Sequence, residues 1–237
     1  MPEAVMRVSV IIPARNEETY VGLALQSIAA QFYPTHLLQA VVVDNGSRDG
    51  TAGVVRAFAA AHPHLDVLLV DEEEAGVGRA KNLGAAVATG DVLLFLDADS
   101  RLDSTLVAEV GASVIAGFPA GSIRIEADSN HRVDRGFFAL MEVGKVWFGV
   151  RSQMLYMERP LFQRLSGFRT DFYLAEDLDL LRRAGETVGK KRINHLRAAA
   201  IRTSPRRLHR YPFHLAVIAV FVRWVMAFSG YGRRRRY

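Results

Sequence analysis

The stretch that decides the fold is Val8-Ser9-Val10-Ile11-Ile12-Pro13-Ala14-Arg15-Asn16-Glu17. It begins as a run of mainly β-branched apolar residues and turns polar directly after Pro13. Continuous rather than alternating hydrophobicity is typical of a strand that is covered on both faces, as in parallel sheets. In open α/β sheets, ligands bind beyond the carboxyl ends of the strands. The polar residues that follow this strand are therefore candidate ligand-binding residues.

Similar apolar runs alternate with amphipathic stretches along the rest of the chain. Further strands are predicted at 40–43, 67–70, 92–96, 122–126, 153–157 and 192–202. Helices are predicted around Val21, Leu25, Ile28 and Phe32, and at 51–61, 79–88, 104–116, 135–147, 159–165 and 175–184. This alternation predicts an α/β fold with a Rossmann-like, mostly parallel sheet flanked by helices.

The composition of the chain indicates a folded protein and excludes the reactions that need cysteine. The chain has 237 residues, of which 50% are hydrophobic and 23% are charged, so a folded domain is expected. Because there is no cysteine, disulfides, thiol nucleophiles and Cys-ligated metals are excluded. No secretory signal is recognisable at the N-terminus, and a cytoplasmic location is expected.

Charge is distributed unevenly along the chain. Residues 1–118 contain 7 Lys and Arg against 15 Asp and Glu, whereas residues 182–237 contain 15 against 1. A basic C-terminal part on an acidic body indicates an anionic partner for that part. Phosphate groups and lipid headgroups fit this location, and nucleic acid is not the expected partner.

Carboxylates follow three of the predicted strands. They are Glu17 after the first, Asp44 after the second, and Asp97 and Asp99 in Asp97-Ala98-Asp99 after the fourth. Mg²⁺ and Mn²⁺ prefer one or two carboxylates together with substrate phosphate oxygens. The alternative is that these acids only form turns or cap the following helix.

Five blocks in order resemble family 2 glycosyltransferases, which have the GT-A fold. The blocks are residues 8–18, 43–51, 78–85 and 94–100, and a fifth formed by 162–168 with 176–180. The resemblance spans roughly residues 7–210. It implies a GT-A domain over 1–210, with a donor half at about 1–103 and an acceptor half at about 104–210.

The resemblance implies a role for each matching residue. Those of the donor nucleotide-sugar site are Pro13, Ala14, Arg15, Glu17, Asp44, Lys81, Asp97 and Ala98. Asp99 would be the direct metal ligand with Asp97 beside it, and the cofactor would be Mg²⁺ or Mn²⁺. The base would be Asp177 of the Glu176-Asp177 pair, although acids at a helix start also suit the helix dipole. Arg206 and Arg207 would reach the diphosphate, or they simply begin the basic region.

The implied reaction is inverting, metal-dependent transfer of a sugar from a UDP- or GDP-sugar to an acceptor hydroxyl of a lipid or glycan. The longer motif of processive synthases is not evident, so a small non-processive bacterial type is expected. Two alternatives are a nucleotidyltransferase and a non-catalytic nucleotide-sugar-binding protein. The first usually has a glycine-rich basic loop after strand one, where this chain has Pro13-Ala14-Arg15.

Residues 211–237 are predicted to be a C-terminal helical extension, apolar at first and ending in four arginines at 233–236. His214 and Arg223 argue against an independent membrane-spanning helix, which needs ~20 mainly apolar residues. Two arrangements remain. The extension packs on the body, or it lies on an anionic membrane as an interfacial helix.

Overall fold

The structure is a computed structural model that describes residues 6–147, 154–171 and 175–209. Its strands are β1 Val8–Ala14, β2 Leu38–Asp44, β3 Asp66–Asp71, β4 Val92–Phe95, β5 Ser100–Leu102, β6 Ala120–Ala127, β7 Leu155–Glu158 and β8 Ile193–Thr203. Its helices are α1 Val21–Ala29, α2 Thr51–Ala61, α3 Val77–Val87, α4 Leu106–Ile115, α5 Arg132–Trp147, α6 Arg159–Arg164, α7 Glu176–Val188 and α8 Arg206–His209. Short 3₁₀ turns lie at Thr35–Leu37 and Lys190–Arg192.

All the described strands belong to one sheet in the order β3-β2-β1-β4-β7-β6-β8-β5. The first four are parallel neighbours. Strand β7 is antiparallel to β4 and β6, while β8 is parallel to β6 and antiparallel to β5. Because β1 lies between β2 and β4, the strand order reverses there. Open α/β sheets bind their ligands at such a reversal.

Side chains of β1 alternate between two hydrophobic cores. Val10 and Ile12 face the core made with α1, α2 and α4, and Ile11 faces the core made with α3, α6 and α7. Helix α3 lies very close to β1. A Cβ on Gly84 would meet Ile11 Cγ2 at 2.5 Å, so this approach requires glycine. The close packing places Lys81, one turn earlier on α3, near the carboxyl edge of the sheet.

The predicted fold class is confirmed, and α2 has the predicted bounds. One expectation was wrong, and one strand was not predicted. Phe32 does not continue the buried face of α1, which ends at Ala29, and 75% of the Phe32 side chain is exposed. The short strand β5 follows Asp99 within the predicted donor half, yet it lies at the far edge of the sheet beside β8.

The predicted extension at 211–237 lies outside the described residues. Within 6–147, 154–171 and 175–209, no helix is both long and apolar enough to cross a membrane.

Candidate active site

The carboxyl ends of β2, β1 and β4 lie side by side and form the floor of the site. Ala14 is the register partner of Asp44, and the Leu96 amide donates to the Ile11 carbonyl. The turn after β4 therefore begins next to Pro13 and Ala14. The sheet thus brings together the three strand ends that the sequence analysis singled out.

The loops after β1 and β2 are tied to each other. The Asn16 amide donates to Ser47 Oγ (3.0 Å), and the Arg48 amide donates to Asn16 Oδ1 (2.8 Å). Asn16 has a φ of 56°, a left-handed conformation that Asn adopts more readily than most residues. These contacts fix the start of the following loop, whose Glu17 amide donates to Thr51 Oγ1 at 2.8 Å.

Asp44 is the last residue of β2 and is buried. Its Oδ1 accepts a hydrogen bond from the Ser47 amide at 2.9 Å, so the turn role considered for it is present. The contact of Asp44 with the donor nucleotide-sugar stays a prediction.

The innermost cluster joins α3 to the start of α7. Lys81 Nζ lies 2.9 Å from Glu176 Oε1 and 2.7 Å from Asp177 Oδ1. Only 4% of the Lys81 side chain is exposed, and the two carboxylate side chains are exposed by 11% and 15%. The ammonium group also lies 5.0 Å from the centre of the Phe168 ring, on its face. The family resemblance implies a place for Lys81 in the donor site, whereas here its ammonium group is bound to the predicted base pair.

The charges of this cluster shift its protonation equilibria. Burial raises the pKa of the Asp177 carboxyl to about 7; the Lys81 ammonium opposes this rise, and the charges of Glu176 and Asp97 add to it. Burial acts to lower the pKa of Lys81, but the charges of Asp177, Glu176 and Asp97 outweigh it and the pKa is raised. A carboxylate whose pKa is about 7 is suited to accept a proton from a hydroxyl group at physiological pH. Asp97 acts electrostatically on both members, so it lies near them.

Asn82, one residue after Lys81, positions the chain that precedes α7. Its Nδ2 donates to the Phe168 carbonyl and its Oδ1 accepts from the Phe168 amide, both at 2.8 Å. Gly167 next to it has a φ of 65°, and a Cβ there would meet Asn82 Oδ1 at 2.5 Å. This clamp between Asn82 and Phe168 was not predicted from the sequence. Its only sign there is a glycine, Gly167, followed by an aromatic residue.

The third acid of the α7 start has another role. Asp179 is buried and its Oδ2 accepts from Arg183 Nε at 2.7 Å. The same guanidinium donates to the carbonyls of Leu165 and Gly167, each at 2.7 Å. Asp179 and Arg183 therefore fasten α7 to the Gly167 turn, which leaves Glu176 and Asp177 for the site itself.

A second cluster joins the predicted metal ligand to the C-terminal part of the chain. Arg206 Nε donates to Asp99 Oδ2 at 3.0 Å, and its Nη2 also binds Glu17 Oε1. The guanidinium lies 4.6 Å from the centre of the Tyr20 ring, on its face. The Ser204 amide donates to the Asp99 carbonyl at 3.0 Å, which anchors the segment leading to α8. Arg206 therefore lies at the donor-side acids, and its contact with a diphosphate stays a prediction. The side chain of Arg207 lies outside the described part.

The residues present suit a divalent cation that also takes ligands from a substrate. Within the described residues, no group of three or more His, Asp or Glu side chains is arranged to hold a metal by itself. One or two carboxylates with phosphate oxygens are the usual set for Mg²⁺. Glu17 Oε2 is buried and has no hydrogen-bond partner among the described residues. This side of the site therefore has a carboxylate oxygen that can accept a further contact. Asp99 and Asp97 would hold the cation.

The remaining predicted residues lie around these clusters. Pro13 and Ala14 end β1, and Ala98 is buried between the two aspartates. Arg15 is exposed at the rim of the site. The structure thus brings the predicted donor, metal and base residues to one edge of the sheet.

Comparison with known proteins finds glycosyltransferases of similar sequence and fold. Residues 9–123 match the family described as Glycosyl transferase family 2. Glycosyltransferase AglE of Haloferax volcanii is 36% identical over 131 residues, which are 50% of this chain and 43% of that protein. Mannosyltransferase PcManGT from Pyrobaculum calidifontis, solved in complex with GDP-Man and Mn²⁺, has a TM-score of 0.72 at 26% identity and covers 98% of this chain and 65% of its own. S. aureus TarS in complex with UDP has a TM-score of 0.69 at 23% identity over 84% of this chain and 60% of that one.

The strand order and the acids at the strand ends agree with a GT-A fold, which is the fold of these solved neighbours. The chain is similar to glycosyltransferase family 2 over residues 9–123. It spans less than half the length of the first two curated relatives, 43% of one and 45% of the other.

Proposed function

We propose that the chain is an inverting, metal-dependent glycosyltransferase that moves a sugar from a nucleotide-diphosphate-sugar to an acceptor hydroxyl. The observation that supports this most is the Lys81–Glu176–Asp177 cluster beside Asp97. It combines a buried base of raised pKa with the strand edge at which the family holds its donor. Solved neighbours have UDP or GDP-Man bound, which supports a UDP- or GDP-sugar as donor.

In the proposed reaction the acceptor oxygen attacks the anomeric carbon while Asp177 takes the hydroxyl proton. The bond between the anomeric carbon and the diphosphate oxygen breaks, and the electron pair leaves with the nucleoside diphosphate. Attack from the face opposite the leaving group inverts the anomeric centre. Lys81 keeps Asp177 ionised and oriented, and Glu176 shares the ammonium group.

The donor side neutralises the departing diphosphate. Arg206 supplies a guanidinium that matches phosphate oxygens in geometry, and it lies at Asp99 already. A Mg²⁺ or Mn²⁺ ion held by Asp99 and Asp97 would add positive charge to the same oxygens. Glu17 and Asp44 lie at the edge where the ribose and base would bind.

The test follows hydrolysis of UDP-glucose and GDP-mannose in the presence of Mn²⁺. In this assay water takes the place of the acceptor hydroxyl. Released nucleoside diphosphate measures turnover, and proton NMR of the first sugar product reports its anomer. We expect Asp177→Asn to bind the donor as the wild type does and to lose about 100- to 10,000-fold in rate. The first product of an α-linked donor should be the β anomer. Unchanged turnover of the Asp177→Asn variant would show that Asp177 is not the base. An α anomer as the first product would exclude inversion.

We also propose that the protein works in the cytoplasm at an anionic membrane. This proposal rests on the charge of the sequence alone. The four arginines at 233–236 lie outside the described residues. Near an anionic surface each contributes about 1 kcal/mol. Sedimentation with phosphatidylglycerol vesicles tests this, with all four replaced by Gln as the comparison. Equal sedimentation of both proteins would contradict it.

A further inference from the structure

Three arginines form a row on the strands that lie beyond β7. Arg124 is on β6, Arg202 on β8 and Arg101 on β5, and these strands are neighbours in that order. Arg202 is the register partner of Arg101 on one side and of Glu126 on the other. Register partners point to the same face of a sheet, as do residues two positions apart such as Arg124 and Glu126. The three guanidinium groups of this arginine row therefore share one face.

The arginine row is on the face of the sheet that also has the proposed base. The residues that alternate with the row are Ile125, Ile201 and Leu102, which are buried in the core made with α1, α2 and α4. The arginines therefore point to the other face, which α3 and α7 cover farther along the sheet. Those two helices contribute Lys81 and Asp177.

One end of the arginine row adjoins the predicted metal ligand. Arg101 comes two residues after Asp99 in the sequence. The Ser204 amide donates to the Asp99 carbonyl at 3.0 Å, and this bond continues the pairing of β5 with β8. Because residues two positions apart in an extended segment are about 7 Å apart, Arg101 begins directly beside the metal ligand.

The other end of the arginine row is linked to the second aspartate of the site. The amide of Ile123, which precedes Arg124, donates to the Met154 carbonyl at 3.1 Å. The sulfur of Met154 accepts a hydrogen bond from the Asp97 amide at 3.4 Å. The row therefore extends from the donor acids across the part of the sheet that the sequence analysis assigned to the acceptor.

Each arginine of the row has an acid as its partner and remains accessible. The pairs are Arg101 with Asp128, Arg124 with Glu126 at 3.0 Å, and Arg202 with Asp103 at 3.1 Å. The three arginine side chains are exposed by 41%, 36% and 53%. Exposed ion pairs contribute little to stability, so a stronger anion can replace the acids. The Nε atoms of Arg101 and Arg124 have no hydrogen-bond partner among the described residues, so each has a donor that its acid does not use.

A phosphate group suits the arginine row better than a carboxylate does. Arg101 and Arg202 lie directly opposite each other, and like charges in that position repel unless an anion lies between them. A phosphate monoester has a charge of about −1.5 to −2 at pH 7 and several acceptor oxygens, so it can bind more than one arginine. Guanidinium groups bind phosphate oxygens through two parallel hydrogen bonds.

We propose that Arg101, Arg124 and Arg202 bind a phosphate group of the acceptor, beside the hydroxyl that takes the sugar. This inference rests on the proposed glycosyl transfer and assigns its acceptor to the phosphorylated compounds. The row lies on the side of β4 opposite to β1 and β2, and is therefore separate from the place proposed for the nucleotide. The phosphate belongs to a lipid or to a water-soluble compound, and the recognised group is the same.

Calorimetric titration of the 237-residue chain with two probes tests the proposal, in the absence of nucleotide and metal. The probes are glycerol 3-phosphate, which is water-soluble, and farnesyl phosphate, which is a lipid phosphate. We expect at least one of them to bind, and the Arg101→Gln/Arg202→Gln double variant to bind it roughly tenfold more weakly or worse. The probe that binds identifies the source of the phosphate.

Arg7→Gln is the matched control. Arg7 pairs with Asp66 at 2.9 Å, is 37% exposed and also has an Nε without a partner among the described residues. It precedes β1, however, and so lies at the amino edge of the sheet, away from the site. Its replacement should leave the affinity for the probe unchanged.

A second variant separates binding from folding. Arg124→Lys keeps the charge but not the paired donors, so the affinity should fall by about threefold to tenfold while the midpoint of urea denaturation stays unchanged. Binding of neither probe, or equal affinity in the wild type and the double variant, overturns the proposal. Binding that is lost in Arg206→Ala but kept in the double variant also overturns it, because the phosphate would then occupy the donor site. The titration contains no donor, so its result is separate from that of the hydrolysis assay.

Discussion

The ammonium group of Lys81 lies 2.7 Å from Asp177 Oδ1, although the two residues are 96 positions apart in the sequence. The pair joins the donor-side helix α3 to the helix that has the proposed base. Because both groups are buried, neither is stable there as a charge without the other. In the folded protein, the packing of α3 against α7 thus supplies the counter-charge that favours the ionised form of the proposed base.

Loss of the ammonium should destabilise the protein in a pH-dependent way. Lys81→Met leaves Glu176 and Asp177 buried without their counter-charge, which costs about 3–5 kcal/mol. At pH 8 both carboxylates are ionised in the unfolded chain, so the whole cost applies. At pH 5 part of it is relieved, because the raised pKa lets Asp177 take up a proton in the folded state. Urea denaturation at both pH values measures this.

A double variant provides the control for that experiment. Asp177→Asn removes one of the two stranded charges, so the Lys81→Met protein should regain stability when it is added. Equal losses at pH 5 and pH 8, with no recovery in the double variant, would show that Lys81 acts by packing alone.

The raised pKa of Asp177 also predicts a pH dependence of turnover. The base must be ionised to accept the acceptor proton, so kcat/KM should fall as the pH falls through about 7. Below that value the fall approaches tenfold per pH unit. Donor hydrolysis between pH 5 and pH 9 provides the profile. A rate that stays level down to pH 5 would be incompatible with Asp177 as the titrating base.

Arg206 should matter for binding of the diphosphate. It contacts Asp99 and Glu17 in the free protein, at the point where phosphate oxygens would arrive. Arg206→Ala removes a charged hydrogen-bond donor, and we expect UDP or GDP with Mn²⁺ to bind about 10- to 150-fold more weakly. Isothermal titration calorimetry measures this. Arg202→Ala is the comparison, since that exposed residue pairs with Asp103 instead and should leave affinity unchanged.

Gly167 should be sensitive to any side chain. Its φ of 65° and the 2.5 Å approach of an added Cβ to Asn82 Oδ1 predict that Gly167→Ala destabilises the fold by about 1–3 kcal/mol. The clamp on Phe168 would loosen at the same time. Gly136→Ala in α5 is the matched control, because nothing lies within 4 Å of an added Cβ there. It should stabilise by roughly 0.5–1 kcal/mol, and chemical denaturation compares the two.

The parallel half of the fold was predictable, because buried strands such as β1 and β4 leave long runs of apolar residues in the sequence. The positions of Asp44, Asp97 and Asp99 followed from those strands. Strand β5 was not predictable, since Ser100–Leu102 has only three residues and pairs with β8 about one hundred positions later. Local pattern contains no trace of such a partner.

The contacts within the site could not be predicted from the sequence either, because they join residues that are far apart along the chain. The resemblance indicated only that Lys81 belongs to the donor site, and the packing of α3 against α7 is what brings it to Glu176 and Asp177. Asp179 follows the predicted base pair closely in the sequence, but its position on α7 directs it to Arg183. Side chains four positions apart on a helix meet, but which face they occupy depends on the tertiary fold.

The most direct test of the central claim is calorimetric binding of UDP and GDP to the 237-residue chain with and without Mn²⁺. The account predicts that at least one of them binds, that Mn²⁺ strengthens the binding, and that Asp99→Asn abolishes this effect of the metal. Absence of binding by both nucleotides in the presence of Mn²⁺ would contradict a donor site at the ends of β1, β2 and β4.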